Sequence, residues 1–106
     1  DHALRRRFAF IALYPQFDVL RKYHAERTGL NVDGLIGVLQ SVNQEMGDPN
    51  YAVGITFFLH PELEKHLASI WQMEIVPYLE EYFFDNPRRV DPFRWESVRS
   101  RMLPGQ

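Results

Sequence analysis

The chain has 106 residues, 45% hydrophobic and 14% aromatic, enough for one small domain with a real core and too apolar for a disordered chain. It has no cysteine, which excludes disulfides and thiolate-held metals and makes a reducing, cytoplasmic setting the expectation; no apolar run approaches the roughly 18 residues of a membrane span, and nothing resembles a secretory leader. The formal net charge of −2 hides basic ends around an acidic middle: six Lys/Arg against three Asp/Glu over 1–27, Lys65 alone against nine acids over 28–86, and five arginines against two acids over 87–106.

The chain opens on Asp1-His2-Ala3-Leu4 and three consecutive arginines, Arg5, Arg6 and Arg7, with no initiator methionine ahead of them. The simplest reading is the C-terminal piece of a longer protein whose chemistry it shares. Phe8 to Leu13 is an uninterrupted apolar run, the length of a strand buried on both faces, and Tyr14-Pro15 stops it. Such a strand needs neighbours, and the rest of the chain offers no second convincing one.

Everything downstream reads as helix. A helix over about 16–28 carries Phe17, Leu20, Tyr23 and His24 at helical spacing, with Gly29 as its stop. The next follows Asn31, whose side chain can cap free first-turn amides, and buries Val32, Leu35, Ile36, Leu39, Val42 and Met46 before Gly47-Asp48-Pro49 ends it. Tyr51 to Leu59 fits either an extended segment or a short helix. Pro61 suits the first position of a long helix over about 61–84, with Leu63, Leu67, Ile70, Trp71, Ile75, Leu79, Tyr82 and Phe83 as its buried stripe. Pro77 lies inside that stripe and should bend the helix without ending it. Asp91-Pro92 predicts cap and first position of a last helix reaching about 102, with Trp95, Val98 and Met102 inward. The fold class is therefore mainly α: a small helical bundle over 15–106, preceded by one orphan strand within 1–14.

Most catalytic constellations are missing. His2, His24, His60 and His66 show no zinc pattern, and no metal site is expected. Glu80 and Glu81 are adjacent, so on a helix they diverge and cannot flank one scissile bond. Ser41, Ser69, Ser97 and Ser100 lack a nucleophile elbow, and GxxxxGK[ST] does not occur. Taken alone, this segment has no means to hold a nucleotide and cut it. The arginine triplet is the remaining candidate. On a helix its members fan about 100° apart, so they cannot all reach one phosphate and must divide labour or form a solvated basic turn. Direct nucleic-acid binding is not expected, because the acids outnumber the basic residues overall. Basic ends around an acidic middle better suit packing between copies, or local anion contacts at the ends.

Three segments, in order, carry a resemblance. Asp1-His-Ala-Leu-Arg-Arg-Arg-Phe-Ala-Phe10 resembles the D-x-A-L-R-R-R-F-x-F segment late in the AAA+ module of methylcytosine-specific restriction GTPases, the McrB type. Tyr51-Ala-Val-Gly-Ile-Thr-Phe-Phe-Leu59 is similar to that family's glycine-bearing φ-G-x-S-Y-F segment, and Ile70 to Asp85 to its I-W-x-x-x-I-x-P-L-L-x-E-Y-F helix. The resemblance implies the last strand of an αβα nucleotide-binding core (1–14) followed by a helical lid (15–106). It implies arginine fingers acting on a neighbouring subunit's nucleotide, with Arg7 favoured, then Arg6, then Arg5. Gly54 and Thr56 become the candidate cofactor contacts, although Thr56 stands where that branch usually has serine and the segment carries no sensor-2 arginine.

The same resemblance implies an ATP- or GTP-hydrolysing ring protein using Mg, with other copies of the subunit as partners and a nuclease subunit as a candidate partner. The 106 residues alone are expected to bind no nucleotide. The rival reading is a non-enzymatic helical interaction module anchored by Trp71, Phe93 and Trp95.

Overall fold

The computed structural model describes residues 16–104. The predicted strand over 8–13 and the triplet Arg5–Arg7 lie outside the described residues. Within them the chain is helical, with no strand: α1 (Phe17–Arg27), α2 (Asp33–Met46), α3 (Leu63–Ile70), α4 (Val76–Tyr82) and α5 (Trp95–Met102), joined by short 3₁₀ turns and one π turn.

The first two helices end as their glycines require. Gly29 and Gly47 both sit at φ +73°, the left-handed region that closes a helix without steric cost. The carbonyl of His24 accepts the amides of both Thr28 (3.0 Å) and Gly29 (2.6 Å), which closes α1 at its C-terminal end. At the start of α2, Asn31 Oδ1 accepts the Asp33 amide at 2.9 Å, as its capping role predicts. Arg21 then ties α1 to α2 through Asp33 (2.7 Å), and its hydrogen bond to Asp33 raises its pKa above the ordinary guanidinium value.

Two distant residues satisfy the far end of α2. Tyr82 Oη donates to the Met46 carbonyl at 2.9 Å, and Arg89 Nη2 donates to the Glu45 carbonyl at 3.0 Å while its Nε meets the Glu45 carboxylate at 2.8 Å. The same guanidinium lies 4.5 Å from the centre of the Phe83 ring. Unpaired carbonyls and the negative end of the helix dipole both favour a cation there.

The long helix is one rod in three pieces. It begins at Leu63 instead of Pro61, because His60 Nδ1 accepts the Glu62 amide and holds residues 60–62 in a turn. A π turn, Trp71–Ile75, then separates α3 from α4, with the Val76 amide reaching back to the Trp71 carbonyl. Pro77 follows at once. It has no amide hydrogen and its ring crowds the carbonyl four residues back; widening the preceding turn shifts that carbonyl register and lets the rod continue. The expected stripe is kept: Leu63, Leu67, Trp71, Ile75, Leu79 and Phe83 are buried, and Ile70 and Tyr82 are partly so.

The last helix starts later than expected. Residues Pro87–Phe93 form a 3₁₀ helix with Pro92 inside it, Arg94 turns extended at ψ 154°, and α5 begins at Trp95. Asp91 caps nothing; its carboxylate takes Arg94 Nε at 2.9 Å, and Arg94 also reaches Glu80 at 3.0 Å. At the junction the buried Trp71 Nε1–H donates to the Phe93 carbonyl at 2.6 Å, tying the end of the 3₁₀ helix to the long helix. α5 packs its end against α2, where a Cβ on Gly34 would fall on the Arg101 carbonyl oxygen. One continuous core runs from Leu20 of α1 through Val98 and Met102 of α5.

Candidate functional site

The segment between α2 and α3 has little regular structure of its own: 3₁₀ turns at Pro49–Tyr51 and Thr56–Phe58, neither the extended run nor the single helix left open by the sequence. A loop with so few internal bonds must find partners for its backbone elsewhere. Three helices supply them. Asn43 of α2 pairs with both groups of Val53, accepting its amide at Oδ1 (2.7 Å) and donating from Nδ2 to its carbonyl (3.0 Å). Tyr78 of α4 donates from Oη to the Tyr51 carbonyl at 2.8 Å. His24 of α1 places Nε2 at 2.7 Å from the Phe58 carbonyl. Asp48 adds a local clasp, accepting the Asn50 amide at 2.9 Å.

The outcome is a pinned segment with one exposed point. Ala52, Val53, Gly54, Ile55 and Phe58 are buried, Phe57 is half-buried and Thr56 is exposed. Of the two candidate contacts, Gly54 therefore lies within the packed bundle and Thr56 at its surface. The structure holds both on the gripped segment; Arg5, Arg6 and Arg7 lie outside the described residues.

His24 is the only buried polar or charged side chain among the described residues, fully enclosed with both ring nitrogens engaged. The sequence places it on the apolar stripe of α1 without a role. A polar residue one turn after the buried Leu20 is the signal that was available. Asn43, next to the buried Val42, is the equivalent signal on α2.

Other candidates resolve into packing. His66 stacks on His60 with ring centres 4.8 Å apart, while Glu62 pairs with Lys65 at 3.6 Å. Among the described residues no group of three or more His, Asp or Glu could hold a metal ion. Trp71 is fully buried, Phe93 is nearly so and Trp95 packs half-buried on the core, so none of the three stands out as a free surface anchor. An open groove of about 300 Å³ is lined by Thr28, Leu30, Pro61, Glu62, Glu64 and Lys65. Its two carboxylates outnumber one ammonium already paired with Glu62, which disfavours a phosphate. No helix among the described residues is long and apolar enough to cross a membrane.

A family model described as "McrB, alpha-helical lid domain" matches residues 34–91, more than half of the chain and including the whole gripped segment. This chain belongs to the McrB lid family. Over a 122-residue alignment it is 33% identical to the EcoKMcrB subunit of the type IV methyl-directed restriction enzyme of Escherichia coli (strain K12), covering 97% of this chain. The chain spans only 25% of that curated relative's length. No solved structure matches it. The McrB-type lid is thus a helical bundle whose glycine-bearing segment is fixed from three directions.

Proposed function

We propose that this McrB-type lid works as the C-terminal part of an AAA+ nucleoside-triphosphatase, closing over a nucleotide in its own subunit and carrying the arginines that reach the nucleotide of the next. The observation that carries this reading is the family match over 34–91 together with the three-helix grip on Tyr51–Phe58. A lid that transmits motion between subunits has to move as one body, and a pinned segment within a single core does so.

The division of labour follows from the residues. The described residues bring no phosphate-cradling glycine loop, so the phosphates and Mg of ATP or GTP would be held by other parts of the longer protein. Thr56, the exposed point of the gripped segment, is the lid's contribution beside the nucleotide, while Gly54 is buried within the bundle. Arg7, then Arg6 and Arg5, supply guanidinium groups in trans. Phosphoryl transfer spreads negative charge over equatorial oxygens, and an arginine arriving there from a neighbour is worth about 10³–10⁵ in rate. The surrounding assembly is a ring of identical subunits, with a nuclease subunit and DNA restriction as the wider setting.

The test is the Arg6→Ala/Arg7→Ala double variant of the longer protein. Turnover of GTP and ATP should fall by at least about 10³ with nucleotide binding retained. Wild-type turnover would overturn the assignment.

A further inference from the structure

We infer that His24 is the positioning residue of the nucleotide-facing segment, acting through the Phe58 carbonyl; this rests on the lid reading above. A carbonyl oxygen only accepts, so the 2.7 Å contact fixes Nε2 as the protonated nitrogen. The other ring nitrogen, Nδ1, lies 2.8 Å from the Thr28 hydroxyl, which also donates to the His24 carbonyl at 3.3 Å. Thr28 Oγ1 in turn accepts the Leu30 amide at 3.2 Å, which sets the hydroxyl in place.

The ring is therefore held at both nitrogens, and the Tyr23 ring meets it edge-on with centres 4.9 Å apart. Its backbone is held as well, because the His24 carbonyl closes α1 by accepting the Thr28 and Gly29 amides. The rigid end of α1 is thereby joined to a carbonyl 34 residues further along, at the close of the Thr56–Phe58 turn. That turn carries Thr56, the exposed point of the segment. Asn43 and Tyr78 hold the segment's first half, at Val53 and Tyr51; His24 holds the half that bears Thr56. A fully buried imidazole spent on one carbonyl thus sets where the lid presents Thr56.

Two amide substitutions separate this role from general support of the fold. The Gln side chain can place its amide nitrogen near the Nε2 position and donate to Phe58; the Asn side chain reaches only the Nδ1 position and keeps Thr28 alone. In the longer protein, His24→Asn should raise the nucleotide KM about ten-fold with kcat kept, and His24→Gln should stay within about two-fold of wild type. In the 106-residue chain, His24→Asn should speed amide exchange at Phe58 and Leu59 about ten-fold against the α2 amides, and His24→Gln should not. Equal KM values for the two variants, both folded by circular dichroism, would overturn the inference, as would an unfolded His24→Gln. The Arg6→Ala/Arg7→Ala variant reports on turnover with binding retained, so failure of the lid reading shows there, and failure of the His24 role shows in the Asn–Gln comparison.

Discussion

The side-chain amide of Asn43 pairs with the backbone of Val53 as a neighbouring strand would, taking its amide at 2.7 Å and giving to its carbonyl at 3.0 Å. Val53 is fully buried, so neither group can turn to water once the partner is gone. Asn43→Ala should lower the unfolding free energy by about 2–3 kcal/mol. Urea unfolding followed by circular dichroism measures it, and a loss below about 0.5 kcal/mol would show that the pair contributes little.

Two glycines of α2 should respond in opposite directions. At Gly34 an added methyl group meets the Arg101 carbonyl and the end of α5, with backbone on both sides of the contact, so Gly34→Ala should destabilise by about 1–3 kcal/mol. At Gly37 nothing lies within 4 Å, and Gly37→Ala should stabilise by about 0.5–1 kcal/mol through helix propensity. Thermal midpoints of the two variants, moving apart in sign, check both at once.

Trp71→Phe removes the donor to the Phe93 carbonyl and leaves space in the core where Trp71 packs against Phe58, ring centres 6.2 Å apart. The expected cost is about 2–4 kcal/mol, with the junction before α5 the first region to exchange its amides. Uniform exchange across the chain would contradict the assignment of that junction to Trp71.

Phe84, in the turn after α4, is 79% exposed, and Met73, in the π turn, is 72% exposed. Phe84→Ser should leave stability within about 0.5 kcal/mol of wild type. A larger loss in the monomeric chain would mean that the ring packs against something in solution.

The sequence made the helices and their inner faces legible where periodicity is local. All six apolar positions expected on α2 are buried, and α1 begins and ends within a residue of its predicted bounds. It failed where a distant group decides. Asp91-Pro92 looks like a helix start, yet both residues lie inside a 3₁₀ helix whose last residue, Phe93, is held by Trp71. Pro77 leaves the helix running on to Tyr82 as its stripe implied, but the π turn before it left no mark in the sequence pattern. The segment Tyr51 to Leu59 was legible as a motif, but what holds it in place was not. The residues that hold it, His24, Asn43 and Tyr78, are spread over three helices and carry no shared spacing.

If Arg6 and Arg7 act on a nucleotide held by another copy, mixed rings show it most directly. One variant of the longer protein carries Arg6→Ala/Arg7→Ala with its own phosphate loop intact; the other keeps the arginines and has that loop disabled. Each alone should turn over almost no nucleotide. Mixed, they should regain activity at every boundary where an intact arginine faces an intact pocket. Mixed rings that assemble and stay as inactive as either parent would contradict the account.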